Sequence, residues 1–305
     1  MDAGICFDNK QDLIRLIEER QPDLFQESSN DIVGLMGVVE FTNYCKNACY
    51  YCKNSRDNWN LERFRYMKEE ILDCCKMISE AGIFNLLLRG GEDLYFDRDK
   101  ILEILRSIKL HYPKMKIFLS IGEGTGTDYE EFYKAGASVY FIKHQAADEN
   151  YFQKIHPLEL SLSFRKECIE LLQKTNLELG AGFLIGAPWQ AVSELAEDLL
   201  YLNQIKPDVI EPGLFLSDSD MNLKDFPKGD IKELAYFIMI LRMMFPEAWI
   251  TFPDYQVENL NEMVASGMNL IQIPVSVMQS SKELKEKAID LMERIEKMGY
   301  QLEVI

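Results

Sequence analysis

The chain has 305 residues and a formal net charge of −17, from 33 basic and 50 acidic side chains. Its composition, 47% hydrophobic and 27% charged, is that of an ordinary globular protein. The acidic balance argues against a nucleic-acid partner, which would require a basic face to contact phosphates. No apolar run approaches the roughly 18–20 residues that a membrane helix needs.

The N-terminal stretch MDAGICFDNK is acidic and lacks the basic segment and apolar run of a secretory signal. The seven cysteines are an odd number, which does not suggest a disulfide framework. We therefore expect a cytoplasmic protein in a reducing compartment.

Two short amphipathic helices are predicted over 9–27, followed by a turn cluster at 27–31. Apolar runs of strand length then alternate with segments of helical periodicity. Eight strands are predicted, over 35–41, 84–90, 116–122, 138–144, 179–185, 209–216, 248–253 and 269–275. Between the first two, apolar residues recur at three- and four-residue spacing and predict a helix over 67–81.

Uniformly apolar strands that alternate with helices are typical of a parallel sheet covered by helices. Eight such units predict an α/β fold, a single closed (β/α)8 barrel of TIM type. We expect a short helical N-terminal extension over 1–33 and the barrel over 34–305.

Three cysteines, Cys45, Cys49 and Cys52, form a C-x3-C-x2-C array directly after the first predicted strand. Active sites of such barrels lie at the C-terminal ends of the strands. Thiolates are soft ligands that suit zinc or an iron–sulfur cluster. Structural zinc normally takes four ligands, and neither the other cysteines nor the histidines offer a suitably spaced fourth. Three protein ligands without a fourth indicate an iron–sulfur cluster with one iron that is open to an exogenous ligand. The alternative is a group of thiols that bind no metal, although free cysteines rarely cluster in this way.

This array, with Tyr51 before the last cysteine, resembles the signature of radical S-adenosyl-L-methionine (SAM) enzymes. In that superfamily the three thiolates hold a [4Fe-4S] cluster, and the fourth iron binds the amino and carboxylate groups of SAM. Reductive cleavage of SAM then gives a 5′-deoxyadenosyl radical that abstracts hydrogen from the substrate. The resemblance implies that Cys45, Cys49 and Cys52 are the metal ligands and that the cluster and SAM are cofactors. It also implies an electron donor such as flavodoxin or ferredoxin.

Further motifs at successive predicted strand ends resemble the SAM-binding elements of that superfamily. RGGEDLY ends the second strand, LSIGEG the third and IKHQAAD the fourth, while GAGFLIGAP covers the fifth. Each motif is weak individually, and their order gives them weight. The resemblance implies SAM contacts from Tyr51, Gly90, Gly91, Glu92, Ser120, Glu123, Gln145, Arg165 and Ile185. Gln145 replaces a glutamate of close relatives, so it retains hydrogen bonding to the ribose and loses the charge.

The segments EFTNYCKNACYYC, GEDLYF and YFQKIHP resemble the group that contains the FeFe-hydrogenase maturation enzyme and methylornithine synthase. The substrate side departs from both, because Glu211 stands where the synthase has an arginine for its substrate's carboxylate. We expect substrate contacts from Arg89, His144, Glu211, Asp254 and Gln256, with Arg89 as a displaced carboxylate clamp. The alternatives are a buried ion pair for Glu211, a hydrogen-bonded structural role for His144 and a turn position for Asp254.

Three functions remain open. The first is a radical SAM enzyme that acts on a small, amine-bearing, amino-acid-type substrate, with a carbon-skeleton rearrangement like that of methylornithine synthase. The second is a metallocofactor maturase, and the third is a non-catalytic iron–sulfur protein, which the presence of Glu92 and Arg165 disfavours. Acidic strand ends and a C-terminal resemblance to methylornithine synthase favour the first. The close relatives suggest a monomer.

Overall fold

The computed structural model describes residues 7–20, 32–217, 221–253 and 259–303. The strands are, in chain order, β1 (Ile32–Thr42), β2 (Asn85–Gly90), β3 (Lys116–Ser120), β4 (Ala137–Phe141), β5 (Glu178–Ala181), β6 (Leu184–Ile185), β7 (Val209–Ile210), β8 (Gly213–Leu214), β9 (Trp249–Phe252), β10 (Leu270–Pro274) and β11 (Gln301–Glu303). The helices are α1 (Lys10–Glu19), α2 (Lys68–Glu80), α3 (Arg98–His111), α4 (Gly126–Lys134), α5 (Glu149–Ile155), α6 (Leu162–Leu172), α7 (Val192–Ile205), α8 (Ile231–Met244), α9 (Leu260–Ala265) and α10 (Ser281–Lys297). In the part of the chain that is described, no helix combines the length and apolar character needed to cross a membrane.

Eight parallel strands close into a barrel. Their order is β1-β2-β3-β4-β5-β7-β9-β10, and β10 pairs with β1 from Gly34 beside Leu270 to Val38 beside Pro274. The predicted (β/α)8 fold is confirmed. Each of the eight predicted strands overlaps one barrel strand, and the helix predicted over 67–81 is observed at 68–80.

Two predicted strands are each divided in the structure. The run 179–185 gives β5 and β6, and the run 209–216 gives β7 and β8, with β6 and β8 paired in a small separate sheet. Gly182 lies at the first break, where an added Cβ would be 2.0 Å from the carbonyl oxygen of Glu211. Pro212 lies at the second break and has no N–H to continue a ladder.

β11 is a strand that the sequence pattern did not predict. It pairs in parallel with the start of β1, with Ile32 beside Gln301. It is three residues long, and its side chains are not buried, so it lacks the apolar pattern by which strands are recognised.

The N-terminal region contributes one described helix, α1, where two helices were predicted over 9–27; residues 21–31 lie outside the described part. The ammonium of Lys10 lies 2.8 Å from the carboxylate of Glu197 on α7. β1 begins at Ile32, two residues before the boundary predicted at 33/34.

The core has two main layers, which leave the C-terminal strand ends free for polar groups. An inner cluster fills the barrel with Met36, Val38, Leu87, Phe118, Val139, Phe141, Val209 and Leu270. A larger cluster joins the outer faces of the strands to the helices and includes Ile71, Cys74, Cys75 and Ile78 of α2. Burial of an aliphatic side chain contributes roughly 1.5–3 kcal/mol, so this core fixes the strands that carry the site.

Candidate active site at the C-terminal end of the barrel

The cysteine array lies in the loop that leaves β1, and the side chain of Arg63 holds this loop in shape. The Arg63 guanidinium donates hydrogen bonds to four backbone carbonyls, those of Asn43, Asn54, Ser55 and Asn58. A second attachment is the Tyr50 N–H, which donates to the carbonyl of Ile155 at the end of α5. The loop is therefore positioned by the Arg63 side chain and by a backbone contact with α5 rather than by regular secondary structure of its own.

The thiols of Cys45, Cys49 and Cys52 line one cavity, here called the thiol cavity, with a volume of about 270 Å³. Burial raises the pKa of the Cys49 thiol to about 12, and the neighbouring Cys52 adds to the rise. Burial also raises the pKa of the Cys52 thiol to about 11. A bound metal must therefore displace the thiol protons, as is general for thiolate sites.

Glu92 lies in the same cavity at the end of β2, and its carboxylate is held by two neighbours from the cysteine loop. It accepts a hydrogen bond from the Asn47 amide at 2.8 Å, and its other oxygen lies 2.9 Å from the Lys46 ammonium. Gly91 and Gly122 make this approach possible. An added Cβ would be 2.2 Å from the carbonyl oxygen of Tyr44 at Gly91, and 1.9 Å from Cγ of Glu92 at Gly122.

Arg165, on α6, forms an ion pair with Glu123, with 2.8 Å between Nε and the carboxylate oxygen. The guanidinium is buried, and it also lies over the ring of Phe152, 5.3 Å from the centroid. Burial of an arginine without a partner is costly, so Glu123 fixes its position at the cavity wall.

Tyr51 is fixed by His156. The Nδ1–H of His156 donates to the carbonyl of Phe152 at 3.0 Å, so Nε2 carries the lone pair and accepts from the Tyr51 hydroxyl at 3.3 Å. Burial, together with the charge of Arg165, lowers the pKa of His156 to about 3, which keeps the ring neutral. The aromatic residue of the array is therefore locked against α5.

Gln145 lines the thiol cavity. Its backbone φ is +66°, a left-handed conformation that is uncommon for residues other than glycine. Two hydrogen bonds to the β5–β6 region hold it, from its N–H to the Gly182 carbonyl at 3.2 Å and from the Leu184 N–H to its own carbonyl at 3.0 Å. Such a conformation costs on the order of 1–3 kcal/mol and persists only where the surroundings fix it.

Beside the thiol cavity, a buried charge network surrounds Glu211. Its carboxylate pairs with Arg89 and, at 2.7 Å, with Lys143, and accepts from the Gln272 amide at 2.6 Å. Burial by itself raises the pKa of this carboxyl, but Arg89 and Lys143 outweigh that effect and lower it to about 2. Of the alternatives for Glu211, the structure shows the buried ion pair.

A second cavity of about 290 Å³, here called the adjoining cavity, lies between the ends of β1, β2, β9 and β10. Its described lining is Val38, Glu40, Phe64, Tyr66, Arg89, Pro253, Gln272, Pro274, Val275 and Ser276. Glu40 and Arg89 also line the thiol cavity, so the two cavities meet at these side chains.

Residues 39–201 match the Radical SAM superfamily, which is more than half of the chain. The chain belongs to the radical SAM superfamily. It is 33% identical to the FeFe hydrogenase maturase subunit HydE of Thermotoga maritima over 72% of this chain and 62% of that relative, which is less than two thirds of the relative's length. It is 23% identical to the 3-methylornithine synthase of Methanosarcina acetivorans over 86% of this chain and 78% of that protein. The crystal structure of methylornithine synthase (PylB) shares the fold, with a TM-score of 0.79 over 97% of this chain and 90% of that one at 22% identity.

Radical SAM enzymes use a [4Fe-4S] cluster and SAM, and the donor set of this chain fits such a cluster. Three thiols face one cavity, and thiolates are the ligands of iron–sulfur clusters. Among the described residues, no three His, Cys, Asp or Glu side chains converge closely enough to hold one metal ion. That is compatible with a four-iron cluster, whose thiolates bind separate irons.

Most of the residues expected at the radical SAM site lie around the thiol cavity. They are Cys45, Cys49, Tyr51, Cys52, Arg89, Gly90, Gly91, Glu92, Ser120, Glu123, Gln145 and Arg165. Ile185 does not reach it, because the side chain is fully buried in the core between strands and helices. Asp254 and Gln256 lie outside the described residues.

His144 lines neither the thiol cavity nor the adjoining cavity. Its ring is fully buried against Phe183 and Tyr201, with Nε2 3.3 Å from the carboxylate of Asp198. The same oxygen of Asp198 accepts from the Ala147 N–H at 2.6 Å. Neither ring nitrogen has a hydrogen-bond partner among the described residues, so the ring is held by packing and not by the hydrogen bonds of the structural role that the sequence left open.

Sequence reasoning did not single out Glu40 or Lys143. Glu40 is an ionisable residue within the apolar run LMGVVEF, and Lys143 stands in IKHQAAD beside the predicted residues. A charged residue within a predicted apolar strand was the available signal, because both side chains interrupt runs that are otherwise apolar.

Proposed function

We propose that this radical SAM enzyme acts on a small amino-acid-type substrate and changes its carbon skeleton, as an isomerase or a lyase. The observation that carries the proposal is the contact between the two cavities at Glu40 and Arg89. A substrate in the adjoining cavity would lie directly beside SAM, as hydrogen abstraction requires.

Cys45, Cys49 and Cys52 would hold the [4Fe-4S] cluster, and the remaining residues of the thiol cavity would hold SAM. When bound, the pair supplies reductive cleavage of the sulfonium to a 5′-deoxyadenosyl radical. Gly90, Gly91 and Glu92 would take the ammonium of SAM, and Arg165 its carboxylate. Ser120, Glu123 and Gln145 would contact the remaining polar groups.

The chain's own contacts prepare these groups before any ligand binds. The Glu92 carboxylate faces the Lys46 ammonium, so it is already arranged for a cationic partner. Glu123 orients the Arg165 guanidinium, and His156 orients Tyr51. Preorganised charges of this kind bind without reorganisation, which strengthens both affinity and orientation.

On the substrate side, Arg89 supplies the cation for a carboxylate. Glu211 is buried and satisfied by Arg89, Lys143 and Gln272, so it serves to position Arg89 rather than to contact an amine. The reductant would be a small electron-transfer protein such as flavodoxin or ferredoxin.

The test is hydrogen transfer from a labelled substrate. The anaerobically reconstituted enzyme is reduced with dithionite and given SAM with each of a panel of perdeuterated amino acids and diamines. We expect deuterium from one amino acid to appear in 5′-deoxyadenosine by mass spectrometry. SAM cleavage without deuterium from any panel member would reject the proposed substrate class.

The second candidate function is a metallocofactor maturase, which the 33% identity to the HydE subunit supports. The same experiment separates the two, because a maturase would cleave SAM in the presence of its own iron-containing substrate and leave the amino-acid panel unlabelled.

A further inference from the structure

Glu40 and Arg89 are direct neighbours in the barrel wall. They are register partners on the parallel strands β1 and β2, so both side chains project from the same face of the sheet. Both line the thiol cavity and the adjoining cavity. The place where substrate and SAM would meet is therefore bounded by one anion and one cation.

Arg89 has hydrogen-bonding capacity that Glu211 does not use. One of its terminal nitrogens donates to Glu211, whereas its Nε is buried and has no acceptor among the described residues. An unpaired buried guanidinium N–H is unfavourable until it finds an acceptor. A carboxylate is the acceptor whose geometry fits a guanidinium.

Glu40 offers the opposite charge and is accessible. Its carboxylate accepts one hydrogen bond, from the Asn54 amide at 2.9 Å. None of the cations in the described part of the chain forms an ion pair with it. A primary ammonium beside Glu40 would gain a charged acceptor without displacing an existing salt bridge.

The rest of the described lining of the adjoining cavity carries no charge. Glu40 and Arg89 are its two charged members, and the others are mostly apolar or aromatic, among them Val38, Phe64 and Val275. A second ammonium on a substrate would lose water in this cavity without a described anion to receive it.

We propose that Glu40 and Arg89 bind the ammonium and the carboxylate of one α-amino acid, and that its side chain is uncharged and packs in the adjoining cavity. This assignment rests on the proposed function and narrows it, because it excludes diamines and amino acids with a cationic side chain. It also replaces Glu211 with Glu40 as the acidic partner of the substrate amine.

The test uses four probes that differ by one group: L-norleucine, pentylamine, hexanoate and L-lysine. Pentylamine lacks the carboxylate of norleucine, hexanoate lacks the ammonium, and lysine adds a terminal ammonium. Binding to the reconstituted, SAM-loaded enzyme is measured by anaerobic titration calorimetry, which does not depend on turnover. We expect norleucine to bind at least about tenfold more tightly than each of the others, a difference of about 1.4 kcal/mol.

Variants assign each charge to its residue. Glu40→Gln should weaken norleucine by about tenfold and leave hexanoate unchanged, and Arg89→Met should weaken norleucine and leave pentylamine unchanged. Lys116→Met, which removes a cation at the opposite end of the barrel where Lys116 pairs with Glu178, is the control and should change none of the four. Glu40 is exposed, so its variant remains informative if Arg89→Met fails to fold.

Three results would overturn the assignment: lysine binding as tightly as norleucine, a Glu40→Gln variant that weakens norleucine and hexanoate equally, or no binding of norleucine. SAM cleavage is measured on the same preparation. Cleavage without norleucine binding rejects this assignment alone, whereas a cluster-loaded enzyme that does not cleave SAM rejects the proposed function.

Discussion

Replacing Arg63 with alanine tests whether the cysteine loop is shaped by one guanidinium. Arg63→Ala removes the donors to the carbonyls of Asn43, Asn54, Ser55 and Asn58. Hydrogen bonds from a charged donor contribute about 1.5–3 kcal/mol each, but carbonyls in a half-buried loop regain water, so we expect a total loss of about 3–5 kcal/mol. The loop lies outside the barrel ladder, so this loss should appear as local loosening.

The assay is iron and acid-labile sulfide per chain after anaerobic reconstitution, with circular dichroism of the apoprotein as the measure of folding. A loss of about 3 kcal/mol shifts the ordered-to-disordered ratio of the loop by about a hundredfold, since 1.36 kcal/mol is tenfold. We expect Arg63→Ala to retain the barrel's dichroism and to lose most of its iron. Arg63→Lys should be intermediate, because an ammonium cannot match the planar fork.

Arg106→Ala, on the exposed face of α3, is the matched control and should load iron as wild type does. Normal iron content in Arg63→Ala would refute the interpretation that these four hydrogen bonds position the cysteines.

Three further predictions concern the glycine cradle, the charge network and the buried histidine. Gly91→Ala should abolish SAM binding in equilibrium dialysis, because its Cβ would lie 2.2 Å from the Tyr44 carbonyl oxygen. The control Gly126→Ala should bind SAM normally, because the nearest described neighbour of its Cβ would be 3.7 Å away. Equal SAM affinities of the two variants would contradict the steric account. Glu211→Gln should lower the free energy of unfolding in urea at neutral pH by about 3–5 kcal/mol, because it leaves Arg89 and Lys143 without their anion. The native pKa of Glu211 is about 2 against 4.5 for an unperturbed carboxyl, so its stabilisation is complete above pH 4.5 and is lost as pH falls towards 2. The difference in the free energy of unfolding between wild type and Glu211→Gln should therefore narrow as the pH falls from 4.5 towards 2. A difference that stays constant over this pH range would count against the assigned ion pairs. His144→Phe should leave the SAM dissociation constant unchanged, because the buried ring packs against Phe183 and Tyr201 and lines neither cavity; a weaker SAM complex with unaltered stability would point to a direct role.

The barrel was predictable because its strands are continuous apolar runs, and these runs are set by burial on both faces of the sheet. The division of two of these strands was not predictable from the sequence. It depends on the close approach of Gly182 to the backbone of Glu211, and these residues lie in segments that are far apart in sequence. β11 was missed because its three residues gain their partners from β1 and bury little apolar surface.

The site shows the same contrast. The cysteines and Glu92 are recognisable by local spacing and by their position after a strand. Glu40 was not recognisable from the sequence, because its significance comes from its register with Arg89 on the next strand and from the cavity that the two residues share. The partners of Glu211 come from β2, the end of β4 and β10, and their distances are set by barrel closure, which sequence does not specify at the level of side chains.

The most direct test of the central claim is SAM cleavage by the reconstituted enzyme under dithionite, followed as 5′-deoxyadenosine by mass spectrometry. The account predicts cleavage by wild type and by Cys75→Ala, whose thiol is buried in α2, and none by Cys45→Ala, Cys49→Ala or Cys52→Ala. Cleavage that survives loss of one of these three thiols, or no cleavage by a wild-type preparation with a full cluster, would contradict it.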